Sequence, residues 1–344
     1  MDREALRMLR SPEFWRMAVL WAFSLLHSYL LTSLRGRAAA PRCQRPRLGE
    51  GRRPICVVTG ATSGLGRAAA GALAREGYHV VLAGRSAQLL YETVQEIRRQ
   101  QPDARLIEFQ VDLASFKSIK KFGTSLKQWI QGENLEPSIQ LLVNNAGILA
   151  KSHRVTEDSL DDSVPSRVVN LTSFTHRCVS GIDVSEDTLR GIKFGRCSVG
   201  ESYPLASTYE YTKLCMLMFS YELHRQLHMS SGISVIAADP GVVETKIMRE
   251  LPQCLSWFAF LVLRFLKLLQ EPDAGVGAIL DAALAPPEES GKYFFGGKGR
   301  TIRSSQLSYD MELAMKLWEE STAVFKELQL KGDDFRDSSR IKQT

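Results

Sequence analysis

Residues 54 to 76 constrain the fold of this chain most strongly, because an apolar run there breaks into a glycine-rich turn and then resumes with helical spacing. The pattern predicts a strand, a tight turn and a helix. Gly60 permits the positive φ of a sharp turn, while Gly64 and Gly66 allow close approach of a phosphate and close packing of helix on strand. The first N–H groups of the helix can bind an anion, so we interpret the stretch as a nucleotide-binding turn. It lacks the Gly-Lys-Ser/Thr ending of an NTPase loop.

Further motifs follow this turn in a fixed order. They are Asn144-Asn145-Ala146-Gly147, Ser173, Tyr209 with Lys213, and Pro240-Gly241 with Thr245. With the turn, they resemble the short-chain dehydrogenase/reductase family over residues 54 to about 300, in particular its membrane-anchored group of retinol dehydrogenases and X-linked dehydrogenase/reductase-like proteins, including plant members. The resemblance implies an α/β fold, a Rossmann-like doubly wound parallel sheet with strand order 3-2-1-4-5-6-7.

The same resemblance assigns an activity and residue roles. It implies an oxidoreductase that interconverts a lipophilic alcohol and its carbonyl, of retinoid, steroid or polyprenoid type. Ser173 would hydrogen-bond the substrate oxygen, Tyr209 would exchange the proton, and Lys213 would hold the nicotinamide ribose. The residues expected to bind the cofactor, by motif or by charge, are Gly60, Thr62, Ser63, Gly64, Leu65, Gly66, Arg85, Asp112, Asn145, Ala146, Gly147, Tyr209, Lys213, Pro240, Gly241, Val243 and Thr245.

Tyr209 and Lys213 stand four residues apart in a predicted helix over residues 208 to 228, and therefore share one face. Hydride transfer to a carbonyl builds negative charge on oxygen, which a tyrosine neutralises by donating its proton; in reverse, its phenolate takes the proton of an alcohol. A tyrosine pKa of about 10 is too high for base chemistry near neutrality, and we expect the ammonium of Lys213 to lower it. The spacing also fits two surface residues on a long helix. Tyr211 is a competing phenol, but Cys215 stands where its lysine would be.

The second predicted strand, Tyr78 to Gly84, ends at Arg85 without a carboxylate. An acidic residue there would bind the ribose hydroxyls of NAD, whereas an arginine pairs with the 2′-phosphate of NADP. We therefore predict NADP (NADPH) as the cofactor, while a solvated role for Arg85 at the start of a helix stays open. A third strand is predicted to end at Asp112, which the resemblance places at the adenine and which also suits a cap of the next helix.

The stretch between the fourth and fifth predicted strands departs from the family. The fourth strand, IQLLVNNAG, is apolar and is expected to be buried on both faces. Only 19 mostly polar residues then separate Gly147 from Arg167. They are enough for a parallel crossover but contain no amphipathic helix of useful length. We conclude that one crossover helix is missing, with an asparagine that in the family helps to position the lysine. The alternative function is therefore a nucleotide-binding, catalytically impaired membrane protein with a regulatory role.

Residues 17 to 34 contain no charged side chain, and about 18 such residues is the lower limit of a membrane span. We predict an N-terminal anchor; a helix lying on the membrane stays open, because Ser24, His27 and Ser28 lower the hydropathy. Residues 35 to 53 hold seven arginines against one glutamate, which by the positive-inside rule places the catalytic domain in the cytosol. We predict the endoplasmic reticulum, with the plastid envelope as the alternative.

Composition adds few constraints. The arginine-rich stretch accounts for the net charge of +6, so nothing indicates a nucleic-acid partner. The six cysteines form no Cys-x-x-Cys pair, and with His176 they fit no zinc spacing, so we predict no metal. Homo-oligomerisation is doubtful, because in the family the missing helix builds much of the dimer interface.

Three regions are predicted along the chain: an anchor and linker over 1–53, the catalytic domain over 54–330, and a disordered tail over 331–344. Within the catalytic domain, residues 255 to 269 are apolar but too short to span a membrane. They fit a lid over a lipophilic pocket, a membrane-facing helix or a packed core helix.

Overall fold

A mostly parallel sheet organises the part of the chain that the computed structural model describes, which comprises residues 11–35, 37–38, 42, 53–133, 139–147, 166–185, 188, 205–231, 233–245, 253–297 and 299–340. The strands are β1 (Arg37–Ala38), β2 (Ile55–Thr59), β3 (His79–Gly84), β4 (Arg105–Gln110), β5 (Leu141–Asn144), β6 (Arg167–Leu171), β7 (Ser234–Asp239), β8 (Val242–Val243), β9 (Leu269–Gln270), β10 (Tyr293–Phe295) and β11 (Arg300–Thr301). The helices are α1 (Pro12–Arg35), α2 (Gly64–Arg75), α3 (Ala87–Gln100), α4 (Phe116–Gly132), α5 (Leu205–Ser231), α6 (Gln253–Phe265), α7 (Pro272–Ala283) and α8 (Met311–Arg340).

The sheet order is β1-β11-β10-β7-β6-β5-β2-β3-β4. From β4 to β10 this is the predicted order 3-2-1-4-5-6-7, so the doubly wound fold is confirmed. All pairs from β4 to β10 are parallel, and two antiparallel pairs add β11 and β1 at one edge. Parallel strands end at the same edge of a sheet, so the motifs that follow β2, β5, β6 and β7 meet there.

Helices cover the two faces of the sheet unequally. On one face, α2, α3 and α7 pack on a continuous apolar core that includes Leu73, Val94 and Ile279. On the other face, α4 and α5 contribute to two separate clusters, and Leu142 of β5 contributes to both. The crossover residues 148–165 lie outside the described residues, so the predicted absence of their helix stays a prediction.

The expectation that β5 is buried on both faces is wrong for one of them. Leu142 and Asn144 are half-buried, whereas Leu141 and Val143 on the opposite face are buried. The reason is that Leu142 lies between the cover of α4 and that of α5. Asn144 nevertheless donates to the side-chain oxygen of Asn170 over 2.9 Å, and β5 and β6 stay paired in register.

Helix α1 packs against the catalytic domain along one face. Within the described residues it is the one helix long and apolar enough to cross a membrane, with a mean hydropathy of 1.5 and 28% of its most apolar window buried. Leu25 is buried, and Ser24 donates to the carbonyl of Phe174 over 2.6 Å. Arg300 donates to the carbonyl of Thr32 over 3.0 Å. The predicted linker is partly ordered, since β1 pairs with β11.

One further expectation differs from the structure. The core-helix alternative for residues 255 to 269 is wrong, because α6 exposes Trp257, Phe258 and Phe265. Helix α8 runs through Lys331 to Arg340, and the disorder of the tail stays a prediction. Residues 341–344 lie outside the described residues.

Candidate active site

The glycine-rich turn between β2 and α2 contacts two other motifs. Gly60 and Gly64 have φ angles of +64° and +52°. A Cβ on Gly60 would lie 2.9 Å from Cα of Ala146, and one on Gly64 would lie 3.0 Å from Cγ2 of Thr245. The predicted positive φ at Gly60 is confirmed, and backbone angle and space both favour glycine at the two positions.

The first turn of α2 is open to an anion. Ser63 occupies the N-cap but makes no side-chain capping hydrogen bond, and no acidic residue lies in the first turn. By contrast, Ser86 caps α3 and Ser115 caps α4 with their side chains. The first N–H groups of α2 therefore lack a competing side-chain acceptor at the cap, and the residues present fit the phosphates of a dinucleotide.

Asn145 ties β5 to the end of β2. Its side-chain amide donates to the carbonyls of Thr59 and Gly60 over 2.8 and 3.3 Å. The backbone N–H groups of Asn145 and Ala146 both donate to the Thr59 hydroxyl, over 3.1 and 3.0 Å. A Cβ on the next residue, Gly147, would lie 3.9 Å from Nζ of Lys213, so this motif reaches the candidate catalytic lysine.

Arg85 and Asp112 lie at the same edge of the sheet, beside the turn. Arg85 is exposed directly after β3, and its carbonyl accepts from Gln110 over 2.9 Å. Asp112 is also exposed, and its carboxylate accepts from the Ala114 N–H over 3.1 Å. The N-cap of α4 is Ser115, whose hydroxyl accepts a hydrogen bond from the Ser118 N–H. The expectation that Asp112 caps this helix is therefore wrong.

Ser173, Tyr209 and Lys213 come together at the end of β6. Lys213 Nζ lies 5.5 Å from the centroid of the Tyr209 ring and donates to the carbonyl of Leu171 over 3.0 Å. Ser173 is 8% exposed and its side chain hydrogen-bonds with Tyr209. Thr172 fixes the backbone of α5 here by donating to the Lys213 carbonyl over 2.9 Å. The structure therefore juxtaposes the three predicted catalytic residues.

The protonation of this group differs from our expectation. Burial, with a smaller contribution from the charge of Asp239, raises the pKa of Tyr209 above its usual value, and the Ser173 hydrogen bond only partly opposes the rise. Burial also lowers the pKa of Lys213 to about 8. The expected lowering of the Tyr209 pKa by Lys213 is therefore wrong for the protein alone, because burial of the phenol has the largest influence on this pKa and raises it. In this state Tyr209 is a proton donor.

Asp239 is a buried acid that the sequence argument overlooked. Its carboxylate accepts from the Tyr293 hydroxyl over 2.6 Å and from the Gly241 N–H over 2.8 Å. Burial raises its pKa to about 6, against the hydrogen bonds that favour its ionised form. An acid ending the otherwise apolar run SVIAAD was the available signal. Through Gly241 this carboxylate fixes the Pro240-Gly241 turn.

Helix α1 also contributes residues to this region, which the sequence argument missed. The rings of Trp21 and Tyr209 lie 5.7 Å apart between centroids. A Cβ on Gly241 would lie 3.3 Å from the hydroxyl of Tyr29. The available signal was a polar stripe at four-residue spacing, Ser24, Ser28 and Thr32, on a helix that otherwise reads as a membrane anchor.

Val243 joins the cofactor motifs to the helical layer. It is 7% exposed, and a Cβ on Gly275 of α7 would lie 2.5 Å from its Cγ2. The same Cβ would lie 3.2 Å from Leu65 of α2. Val243 and Leu65 therefore hold α7 against the turn by packing.

Two of the other residues considered in the sequence have structural partners. His176 is fully buried, with Nδ1 2.6 Å from the Ser173 carbonyl and Nε2 accepting from Ser305 N–H over 3.1 Å. The Tyr211 hydroxyl donates to the Asp183 carbonyl. Among the described residues no cluster of three His, Cys, Asp or Glu side chains is placed to hold a metal ion.

Comparison with known proteins agrees with this geometry. The family model described as short chain dehydrogenase matches residues 54–255. Human retinol dehydrogenase 13 is 31% identical over 297 residues, covering 78% of this chain and 83% of that protein. Human polyprenol dehydrogenase is 26% identical over 298 residues, covering 78% and 83%. Among solved structures, an uncharacterized protein from Mycobacterium paratuberculosis matches with a TM-score of 0.56 at 22% identity, covering 85% of this chain and 98% of that one.

The family match covers the glycine-rich turn, the Asn145 motif and the Ser173, Tyr209 and Lys213 group, all of which meet at one edge of the sheet. Members of this family are oxidoreductases that bind a nicotinamide cofactor. The chain belongs to the short-chain dehydrogenase/reductase family.

Proposed function

We propose that this protein is an NADP(H)-dependent oxidoreductase that interconverts a lipophilic alcohol and its carbonyl. The observation that carries the proposal is the meeting of Ser173, Tyr209 and Lys213 with Gly147 and the glycine-rich turn at the same edge of the sheet. The lipophilic substrate is supported by the names of the retinol and polyprenol dehydrogenases to which the chain is similar.

Each side chain has a role that follows from its position. Ser173 orients the substrate oxygen, Tyr209 donates the proton to it during reduction, and Lys213 positions the cofactor ribose. A bound NADP(H) would supply or accept the hydride, held by the turn residues, Asn145 and Thr245. With its pKa raised, Tyr209 is a neutral phenol near pH 7 and holds the proton that the oxygen of the product alcohol takes up during reduction.

The cofactor and location complete this proposal. Exposed Arg85, with no carboxylate at the end of β3, supports NADP over NAD. Helix α1 and the arginines that follow it support attachment to a membrane, with the catalytic domain on the cytosolic side of the endoplasmic reticulum, because anionic headgroups that attract those arginines face the cytosol.

A second candidate is a nucleotide-binding protein without efficient turnover. It is favoured by the incomplete cover of Leu142 on β5, next to the crossover where the family has its extra helix. Loss of that helix removes the asparagine that in the family helps to position the lysine. Such a protein would bind the cofactor and act through an interaction.

Measurement of NADPH binding and carbonyl reduction by the full chain and Tyr209→Phe separates the two candidates. The enzyme proposal predicts that Tyr209→Phe keeps cofactor binding and loses about 10²- to 10⁴-fold in turnover, the usual contribution of a positioned proton donor. Tyr211→Phe is the matched control and is expected to keep its turnover. Wild-type protein that binds NADPH but reduces no carbonyl in a lipophilic panel would support the second candidate.

A further inference from the structure

Two helices beside the active site expose apolar side chains. On α1 the exposed residues Val19, Phe23, Leu26, Leu30 and Leu34 follow one another at intervals of three or four positions. They therefore form one stripe along the helix, opposite the face that packs on the domain. On α6, the exposed residues Trp257, Phe258, Leu261, Val262 and Phe265 form a second stripe.

Both helices pack against one buried apolar cluster. Leu263 of α6 packs in the same apolar cluster as Trp21, Tyr29 and Leu31 of α1. Phe23 is 68% exposed and Phe265 is 85% exposed. With Trp257 and Phe258, these aromatic rings alone expose roughly 400 to 700 Å², given about 150 to 250 Å² for each whole side chain. That total is comparable to the largest apolar patch of a typical monomer, about 300 to 600 Å².

The polar face of α1 is held by the catalytic domain. Arg16 forms an ion pair with Glu210 over 3.2 Å, and Trp21 donates to the same carboxylate over 2.6 Å. Arg177 donates to the Ser28 hydroxyl over 3.1 Å. If α1 left the domain to cross a bilayer, Glu210 would lose the ion pair with Arg16 and the hydrogen bond from Trp21.

We propose that α1 lies in the plane of a lipid bilayer instead of crossing it, and that α1 and α6 together insert their exposed stripes into one leaflet. The occupant of this surface is a lipid membrane because the sequence directly after α1, residues 35 to 53, carries seven arginines against one glutamate. Such a basic segment attracts anionic headgroups, and an apolar helix beside it suits the headgroup boundary.

This arrangement places the active site next to the membrane. Trp21 packs on Tyr209 and the hydroxyl of Tyr29 lies beside Gly241, so α1 is a wall of the site as well as a membrane contact. The inference rests on the membrane attachment in the proposed function, but not on turnover.

Side-specific labelling tests the in-plane orientation. Full-length Ser11→Cys, with the cysteine just before α1, is treated in sealed microsomes with a membrane-impermeant maleimide polymer, beside the parent chain. We expect one adduct more than in the parent before detergent is added, because both ends of α1 lie on the cytosolic side. An extra adduct that forms only after detergent would mean that α1 crosses the bilayer, and would overturn the proposal.

Flotation with vesicles tests the role of α6. Purified full-length protein is mixed with phosphatidylcholine vesicles containing 30% phosphatidylserine. We expect Phe258→Ser/Phe265→Ser to lower vesicle binding at least tenfold, and the control Leu89→Ser, which removes an exposed apolar side chain of α3, to bind like wild type. Equal binding of both variants would overturn the role of α6.

Other outcomes of the same experiments separate the remaining explanations. If the α6 variant dissociates a dimer in vesicle-free detergent solution while binding vesicles normally, the surface pairs with a second copy and the proposal is wrong. If wild type fails to bind vesicles at all, the membrane attachment of the proposed function fails with it. Neither readout requires turnover, so a catalytically impaired chain would still give a clear result.

Discussion

The indole N–H of Trp21 donates to the carboxylate of Glu210, and Glu210 directly follows Tyr209 in α5. The apolar N-terminal helix and the catalytic helix are therefore joined by a buried acid. A buried carboxylate is costly unless it is paired and hydrogen-bonded, and Arg16 supplies the compensating charge from α1. Docking of α1 and the environment of the catalytic tyrosine are consequently coupled.

Glu210→Ala is expected to release α1 without unfolding the sheet. The variant loses the ion pair and the Trp21 hydrogen bond, and because Arg16 is partly exposed we expect a local loss of about 1 to 3 kcal/mol. Hydrogen exchange of residues 12–35 in detergent micelles measures it. The control is Glu96→Ala, which breaks the exposed Arg67–Glu96 pair and is expected to leave α1 unchanged. Equal protection of α1 in the two variants would show that Glu210 does not hold it.

Arg85→Glu is expected to reverse the cofactor preference. Arg85 is exposed, so the substitution perturbs little packing, while it replaces the attraction for a 2′-phosphate by repulsion. We expect the ratio of NADPH to NADH affinity to fall at least tenfold, about 1.4 kcal/mol, as measured by fluorescence titration. Arg99→Glu at the exposed end of α3 makes the same charge change away from the turn. Tighter binding of NADH than NADPH by the wild type would refute the cofactor assignment.

Acid is expected to destabilise the fold through His176. Burial lowers the pKa of this histidine to about 3, so between pH 3 and its unfolded pKa of about 6.5 the unfolded state binds more protons. The free energy of unfolding therefore falls as the pH falls below 6.5, by about 2 kcal/mol at pH 5. Asp239 has the opposite effect: its pKa is raised from 3.8 to about 6, so between these pH values the folded state binds more protons and acid stabilises the fold. The wild type must therefore be compared with a variant that lacks His176.

Urea titrations at pH 7.5 and pH 5 provide that comparison. His176→Gln is expected to be less stable at pH 7.5 but to lose about 2 kcal/mol less than wild type on acidification. His79→Gln is the parallel case, because burial lowers the pKa of His79 to about 4 in the same direction. An identical loss in wild type and His176→Gln would exclude His176 as the source.

Local patterns in the sequence predicted the sheet well. Buried strands such as ICVVT and HVVLAG carry continuous apolar runs, and the turn after the first strand has glycines where positive φ angles and close contacts favour them. The meeting of Tyr209 with Ser173 was expected from the family resemblance, which assigns both residues to one site. The strands themselves depend on residues close in the chain, and the rule that parallel strands end together brings their motifs to one edge.

The features that escaped prediction depend on distant contacts. Hydropathy identified α1 as a membrane helix but did not show that Ser24 and Trp21 bind the catalytic domain, since their partners lie more than 100 residues away. The pKa of Tyr209 was expected to fall because the sequence placed Lys213 beside it. Burial of both groups, which spacing does not report, reversed the sign.

The last prediction concerns the crossover between β5 and β6. Leu142 and Asn144 are half-buried between the clusters of α4 and α5, where the family has one more helix. A helix that covers a few hundred Å² of apolar surface contributes several kcal/mol at about 25 cal/mol per Å², comparable to the stability of a whole domain. Inserting the loop and helix of an intact family member between Asp162 and Ser163 is therefore expected to raise the melting temperature by about 10 °C.

The inserted helix also returns the asparagine that positions the lysine in the family, so carbonyl reduction is expected to rise with stability. A glycine-serine segment of equal length at the same place controls for the insertion itself. The same helix with alanine in place of the asparagine separates the effect of covering the sheet from the effect of positioning the lysine. We expect the alanine form to recover the melting temperature but not the turnover. If the parent chain equals the helix insertion in both melting temperature and carbonyl reduction, residues 148 to 166 already cover the sheet and position the lysine. The hypothesis of a missing helix would then be wrong.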